Sequence, residues 1–210
     1  MITATAPVSA TGRPLAGWIC AAGGLIGVAS GLVTAFVMPA VDVNMYRYPY
    51  SPGAYTGTQI IFAVNHLMLL VGLLGIGRIR AARGTLWTIG AALGTFGLLL
   101  LTGCEIWALR LTNAFVDGPQ SGPLDTAYGF ATVATGIGLT LAGIAVVRTS
   151  HWRGSARWTP LLLGILVFVM VVPGIFGTFL QGRLAITAWM LVWTALGAAL
   201  ILDPAPWRQR

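Results

Sequence analysis

The chain is poor in charge. Charged residues make up 8% of its 210 positions, against roughly 25% in an average soluble domain. Lysine is absent, and all 12 basic residues are arginine. Glutamate occurs once, at Glu105, and histidine twice, at His66 and His151. Together with 57% hydrophobic residues, this excludes a soluble globular domain and a disordered chain. The 28 glycines follow no three-residue period, which excludes a collagen-like rod. The two cysteines, Cys20 and Cys104, form no C-x-x-C motif, so a metal ribbon or a thiol redox pair is excluded. Both lie in apolar runs and read as small packing residues.

Other chemistries fall with the residues they need. Two candidate ligands, His66 and Glu105, are too few for a protein zinc site. A bis-histidine haem needs a second histidine at membrane depth, and His151 belongs to a loop. There is no P-loop, no G-x-S-x-G and no aspartate-rich prenyltransferase motif. No metal and no cofactor are expected. The net charge of +7 invites a nucleic-acid reading. The arginines, however, sit in short clusters between apolar runs and read as topology signals, so no nucleic-acid partner is expected.

What is present is length without charge. A helix rising about 1.5 Å per residue needs roughly 20 apolar residues to cross a bilayer core about 30 Å thick. Six runs qualify, at about 16–38, 58–77, 85–109, 126–147, 159–180 and 184–202. The expected fold is an all-α membrane protein, a six-transmembrane-helix bundle. Residues 1–15 and 203–210 would be tails. The run from Leu15 to Met38 exceeds the roughly 7–15 residues of a signal-peptide core and reads as an uncleaved first span.

Arginine counting gives the orientation. Nine arginines fall on one side: Arg13, Arg78, Arg80, Arg83, Arg148, Arg153, Arg157, Arg208 and Arg210. Arg47, Arg110 and Arg183 fall on the other. The arginine-rich face is the cytoplasmic one, so both termini are expected in the cytoplasm and the protein in the plasma (inner) membrane as a multi-pass chain. Trp18, Trp87 and Trp158 open spans at that face and Trp107 closes one at the other, as interfacial indoles do. Trp87-Thr88 and Trp158-Thr159 also recur at an offset that pairs Gly72 with Gly143 and Gly103 with Gly174. The polar residues do not repeat: His66 matches Ile137 and Glu105 matches Phe176.

Gly23, Gly27 and Gly31 recur every fourth residue and stack on one face of the first span. Gly90 and Gly94 repeat the device in the third. Lipid gives leucine no reason to leave it, so close backbone approach over small residues drives helix association. The first face offers a contact to a neighbouring helix, or a homo- or hetero-oligomer interface through Gly23, Gly27 and Gly31. Pro173 in the fifth span predicts a kink, because it lacks an N–H and crowds the Val169 carbonyl.

His66 and Glu105 are the candidate chemical pair. Ionisable groups at membrane depth are costly and call for a reason. His66 lies roughly 12 Å and Glu105 roughly 6 Å from the outer ends of two antiparallel spans. Gln59, Phe62, His66 and Leu70 share a stripe, as do Thr95, Thr102 and Glu105. Tyr128, Gln181, Arg183 and Arg110 fall near the same level. Glu105 paired with Arg110 at the interface is the alternative. The first outer loop, about 19 residues with Tyr46, Tyr48, Tyr50, Tyr55 and Arg47, is placed to roof this site, with Arg47 meeting an anionic headgroup. The second, Thr112 to Asp125, reads as turns.

Three functions follow. The first binds or moves a lipophilic or amphipathic small molecule, with His66 and Glu105 as a proton-sensitive pair and Gln59, Tyr128 and Arg47 as further ligand contacts. The second is a membrane-embedded enzyme on an isoprenoid-like substrate, with Glu105 as acid and His66 as base. The third is an accessory subunit of a membrane complex, docked by the glycine face.

Overall fold

The computed structural model describes residues 12–77, 84–149, 152 and 154–202. The expected tails, the Arg78–Arg83 loop, His151 and Arg153 lie outside the described residues or at their margin. The described chain is all-α: α1 (Gly12–Phe36), α2 (Pro52–Gly77), α3 (Thr85–Ala108), α4 (Ser121–Arg148), α5 (Thr159–Leu166), α6 (Val172–Ile175) and α7 (Phe179–Leu202). Six stretches are long and apolar enough to cross a membrane, the fifth spanning Gly154–Ile175 and so including α5 and α6.

The helices do not end where the apolar runs end. α2 begins six residues before its run, at Pro52, because proline needs no N–H partner in a first turn and the Ser51 carbonyl accepts from the Tyr55 N–H at 2.9 Å. α7 begins at Phe179 rather than 184. Its start is a reciprocal cap: the Thr178 N–H donates to Gln181 Oε1 at 2.8 Å, and the Gln181 N–H to Thr178 Oγ1 at 3.3 Å. α4 begins at Ser121, whose hydroxyl bonds the Gly118 carbonyl at 2.8 Å and also reaches that of Val116. The first loop therefore shrinks to residues 37–51.

In the fifth span the expected kink takes a specific form. Residues Val167–Val171 wind as a π-helix between α5 and α6, and the Val172 N–H reaches back to the Val167 carbonyl. Pro173 follows immediately, so the widened turn lies where a regular ladder would meet its missing donor. The Trp189 indole on α7 donates to the Leu163 carbonyl at 2.9 Å and fastens the segment.

The spans form a ring in chain order. α1 packs on α2, α2 on α3, α3 on α4 and α4 on α5, and α7 closes the ring against α5, α6 and α1. Two seams are closest. Between α3 and α4, a Cβ added at Gly90 would lie 2.8 Å from the Gly138 carbonyl oxygen, and one at Gly97 2.8 Å from that of Ala131. Between α1 and α7, one at Gly17 would lie 2.9 Å from the Gly197 oxygen and one at Gly24 2.9 Å from that of Met190. Leu69, Leu73, Ile76, Leu98, Leu139, Leu163, Trp193 and Leu196 fill the interior with no exposed surface. Outward positions such as Ile60, Ile89 and Phe96 are apolar and exposed, as a lipid-facing surface requires.

The glycine face of α1 is already occupied. Gly23 faces Met68 of α2, Gly27 sits between Met190 of α7 and Asn65 of α2, and Gly31 faces Thr187 of α7. A second copy or another subunit cannot use that face without displacing this chain's own helices. Of the expected interfacial tryptophans, Trp18, Trp107 and Trp158 are exposed, but Trp87 is only 9% exposed and packs against Gly77. The residues paired by the weak repeat have different neighbours: Gly72 faces Cys20, Gly143 faces the Leu161 backbone, and Gly103 faces open space.

Candidate functional site

Six helices carrying small residues at their contacts close tightly, and larger polar and aromatic residues at one end hold them apart. There the ring surrounds a partly open cavity of ≈ 1030 Å³. Gly27, Gly31 and Thr34 of α1, Gln59, Phe62 and His66 of α2, and Leu101 and Glu105 of α3 form one wall. Tyr128 and Thr135 of α4, Val167 and Val171 of the π-turn, and Arg183, Ile186, Trp189 and Met190 of α7 form the other. The walls are mainly apolar with few polar groups, as in sites for small lipophilic molecules.

The roof is two interlocked loops. Residues 37–51 and 109–120 meet at an antiparallel bridge, Met45 to Phe115, with the Tyr46 N–H donating to the Ala114 carbonyl and the Val116 N–H to that of Asn44, each at 2.9 Å. The second loop, expected to be turns alone, is thus half of the roof. Tyr46, Tyr48 and Tyr50 of the first loop, and Tyr55 in the first turn of α2, all line the cavity. Arg47 does not. Its guanidinium donates to the Thr112 carbonyl at 2.8 Å and to Asn113 Oδ1 at 2.7 Å, tying the loops together.

His66 and Glu105 meet inside the wall. His66 Nδ1 lies 4.0 Å from Glu105 Oε1, on side chains almost fully buried, and Nδ1 has no hydrogen-bond partner. Four ångströms exceeds hydrogen-bond range, so the two are neighbours with an unfilled interaction between them. Tyr128 and Arg183 also act on the carboxylate, Tyr128 through its hydroxyl and Arg183 through its charge. Arg110 is exposed at the end of the third span and forms no ion pair with Glu105. Asn65, beside His66, donates to the Gly23 carbonyl at 3.1 Å, leaving Oδ1 unpartnered.

Three of these tyrosines, Tyr46, Tyr50 and Tyr55, spend their protons on the protein. Tyr46 donates to Asp125 Oδ1 at 2.9 Å; burial and that carboxylate push its hydroxyl well above the usual phenol range. Tyr55 donates to the Ala108 carbonyl at 3.0 Å, and its oxygen accepts from Gln59 Nε2 at 3.3 Å. Thr34 gives its proton to the Ser30 carbonyl at 2.7 Å, so in its 2.6 Å contact with Tyr50 the phenol is the donor. Arg183 stacks on Phe179 at 5.0 Å, makes no side-chain hydrogen bond among the described residues, and lines the cavity.

The structure therefore gathers Gln59, His66, Glu105 and Tyr128 around one space and leaves Arg47 outside it. Arg183, assigned by sequence to a turn, stands in the wall. The Thr178-x-x-Gln181 spacing signals that α7 starts early enough to carry it. Comparison with protein-family models, with curated proteins and with solved structures finds no match for this chain.

Proposed function

We propose that this multi-pass membrane protein binds or moves a lipophilic or amphipathic small molecule. The ≈ 1030 Å³ cavity carries the reading, because its mainly apolar walls converge on Gln59, His66, Glu105 and Tyr128. Mass spectrometry of what co-purifies with the wild type and is lost in Glu105→Gln tests it; a species retained equally by both would remove Glu105 from the site.

A second reading, an acid/base enzyme on an isoprenoid-like substrate, draws support from the unpartnered Nδ1 of His66 facing Glu105 across 4.0 Å. A group placed between them could exchange a proton with either. Turnover that vanishes in both His66→Gln and Glu105→Gln would favour it over binding alone. The accessory-subunit reading draws no support from the α1 glycines, which α2 and α7 of this chain cover.

The arginine asymmetry supports the plasma (inner) membrane with both termini cytoplasmic and the cavity in the outer half. Ser51 and Gln120 on the roof loops are exposed, as is Ser155 before α5, while Cys20 and Cys104 are buried. Membrane-impermeant thiol labelling of intact cells should modify Ser51→Cys and Gln120→Cys and spare Ser155→Cys. The reverse pattern would invert the orientation.

A further inference from the structure

Arg183 is a permanent cation in the cavity wall. Arginine does not lose its proton in proteins, and a charge within a membrane span is costly unless something answers it. Among the described residues nothing does so fully. Its side chain makes no hydrogen bond and has no carboxylate within 4.0 Å among the described residues. The groups its charge acts on include Glu105, Tyr50, Tyr128, Tyr46 and Tyr55. They come from α3, the roof, α2 and α4 and line the same cavity as Arg183, whose guanidinium stacks on Phe179 at its wall. None of them takes its donors. Tyr46 and Tyr50 are bonded to Asp125 and Thr34, and Glu105 has His66 and Tyr128 for nearer company.

The surroundings select what would take them. Five N–H donors in a fixed fork match the two oxygens of a carboxylate or phosphate. Ile186 and Met190 follow Arg183 at three and seven residues on the same face of α7, and both line the cavity, so an apolar wall runs about 10 Å inward from the charge. Phe62 and Val171 add to the apolar lining. A small free anion would leave that apolar volume to water, and a plain hydrocarbon would leave the guanidinium unanswered.

We propose that Arg183 is the headgroup anchor of this cavity, and that its ligand is an amphiphile with an oxyanion head, a long-chain carboxylate or phosphate ester, whose chain lies along Ile186 and Met190. This rests on reading the cavity as a ligand site. It adds the charge of the ligand, its direction in the cavity and the residue that holds it.

The test uses the full purified chain in maltoside detergent with tritiated oleate and tritiated methyl oleate in a scintillation proximity assay. Oleate should bind the wild type at least tenfold more tightly than its ester. Arg183→Gln should bring oleate down to the ester's affinity, and Arg183→Lys should keep part of the difference. Dodecyl phosphate should displace oleate while inorganic phosphate at the same concentration does not. The relative affinities of oleate and dodecyl phosphate then tell a carboxylate head from a phosphate one. Equal binding of oleate and ester by the wild type would overturn the proposal while leaving the cavity reading intact, and would do so even if the variants failed to fold. Binding of neither would overturn both. Displacement by inorganic phosphate as strong as by dodecyl phosphate would mean a small-anion site and overturn the amphiphile.

Discussion

On α4, Gly129 and Gly138 lie about two and a half turns apart, and the same residue serves opposite purposes. A methyl added at Gly138 would lie 2.6 Å from Cα of Gly94 and 2.8 Å from the Gly90 carbonyl oxygen; one added at Gly129 would meet nothing within 4 Å. Gly138 belongs to the seam where two backbones touch, Gly129 to the rim of the cavity. The bundle is thus close-packed backbone to backbone over part of its depth and held open over the rest. In a membrane, helices gain little from burying leucine, so small residues fix the seams. Where bulky side chains and bonded tyrosines replace them, the helices stand apart and enclose space.

The largest effect expected is at the seam. Gly138→Ala forces α3 and α4 apart, because the atoms it meets are backbone and cannot rotate away. Overpacking of this kind costs about 1 to 3 kcal/mol, occasionally more, and detergent-solubilised protein should melt well below the wild type. Gly129→Ala should melt within a few degrees of it, since alanine also favours helix over glycine by up to about 1 kcal/mol. Equal melting of the two variants would erase the distinction between seam and cavity.

A middle effect is expected at the roof. Arg47→Ala removes two hydrogen bonds from a charged donor that join the two loops, worth about 1.5 to 3 kcal/mol for bonds to charged groups, less where water replaces them. The roof should then be cut faster by protease between residues 109 and 120, with little change in helix content. Binding of the co-purifying species should weaken only modestly, since Arg47 does not line the cavity. A complete loss of binding with an intact roof would restore Arg47 to the headgroup role that its charge suggests.

The seam and the roof were unequally legible in the sequence. Six spans were readable because apolar length is set by bilayer thickness, and the Gln59–His66 stripe because helical spacing puts those residues on one face. The partner of the α1 glycine face was not readable, since a smooth face fits a helix of the same chain as well as one from another. Arg47 and Arg183 both stand elsewhere than the sequence suggests, Arg47 off the cavity and Arg183 on its wall, for a local reason. A charge ends an apolar run and so reads as part of a turn at Arg183, although Thr178 and Gln181 cap a helix that includes it. Arg47 stood in a tyrosine-rich loop whose pairing with residues 109–120 depends on a contact between segments far apart in sequence.

The smallest stability effect is expected at His66 and Glu105, and it separates a structural pair from a working one. Their 4.0 Å approach is too long for a hydrogen bond, and His66 Nδ1 has no other partner. Replacing either by glutamine therefore removes no formed bond between them. Hydrogen-bonded polar pairs inside membrane proteins average only about 0.6 kcal/mol in double-mutant cycles, and an unformed one should contribute less. A cycle of His66→Gln, Glu105→Gln and the double variant should show a coupling below about 0.5 kcal/mol in unfolding, the range in which sites behave as independent. The same cycle read on ligand binding should differ. A molecule that contacts both groups feels the loss of each only while the other is present, so the coupling there should reach about 1.4 kcal/mol, a tenfold effect in affinity. Strong coupling in unfolding with none in binding would make the pair a strut of the α2–α3 contact. The cavity would then have to be read from Gln59, Tyr128 and Arg183 alone.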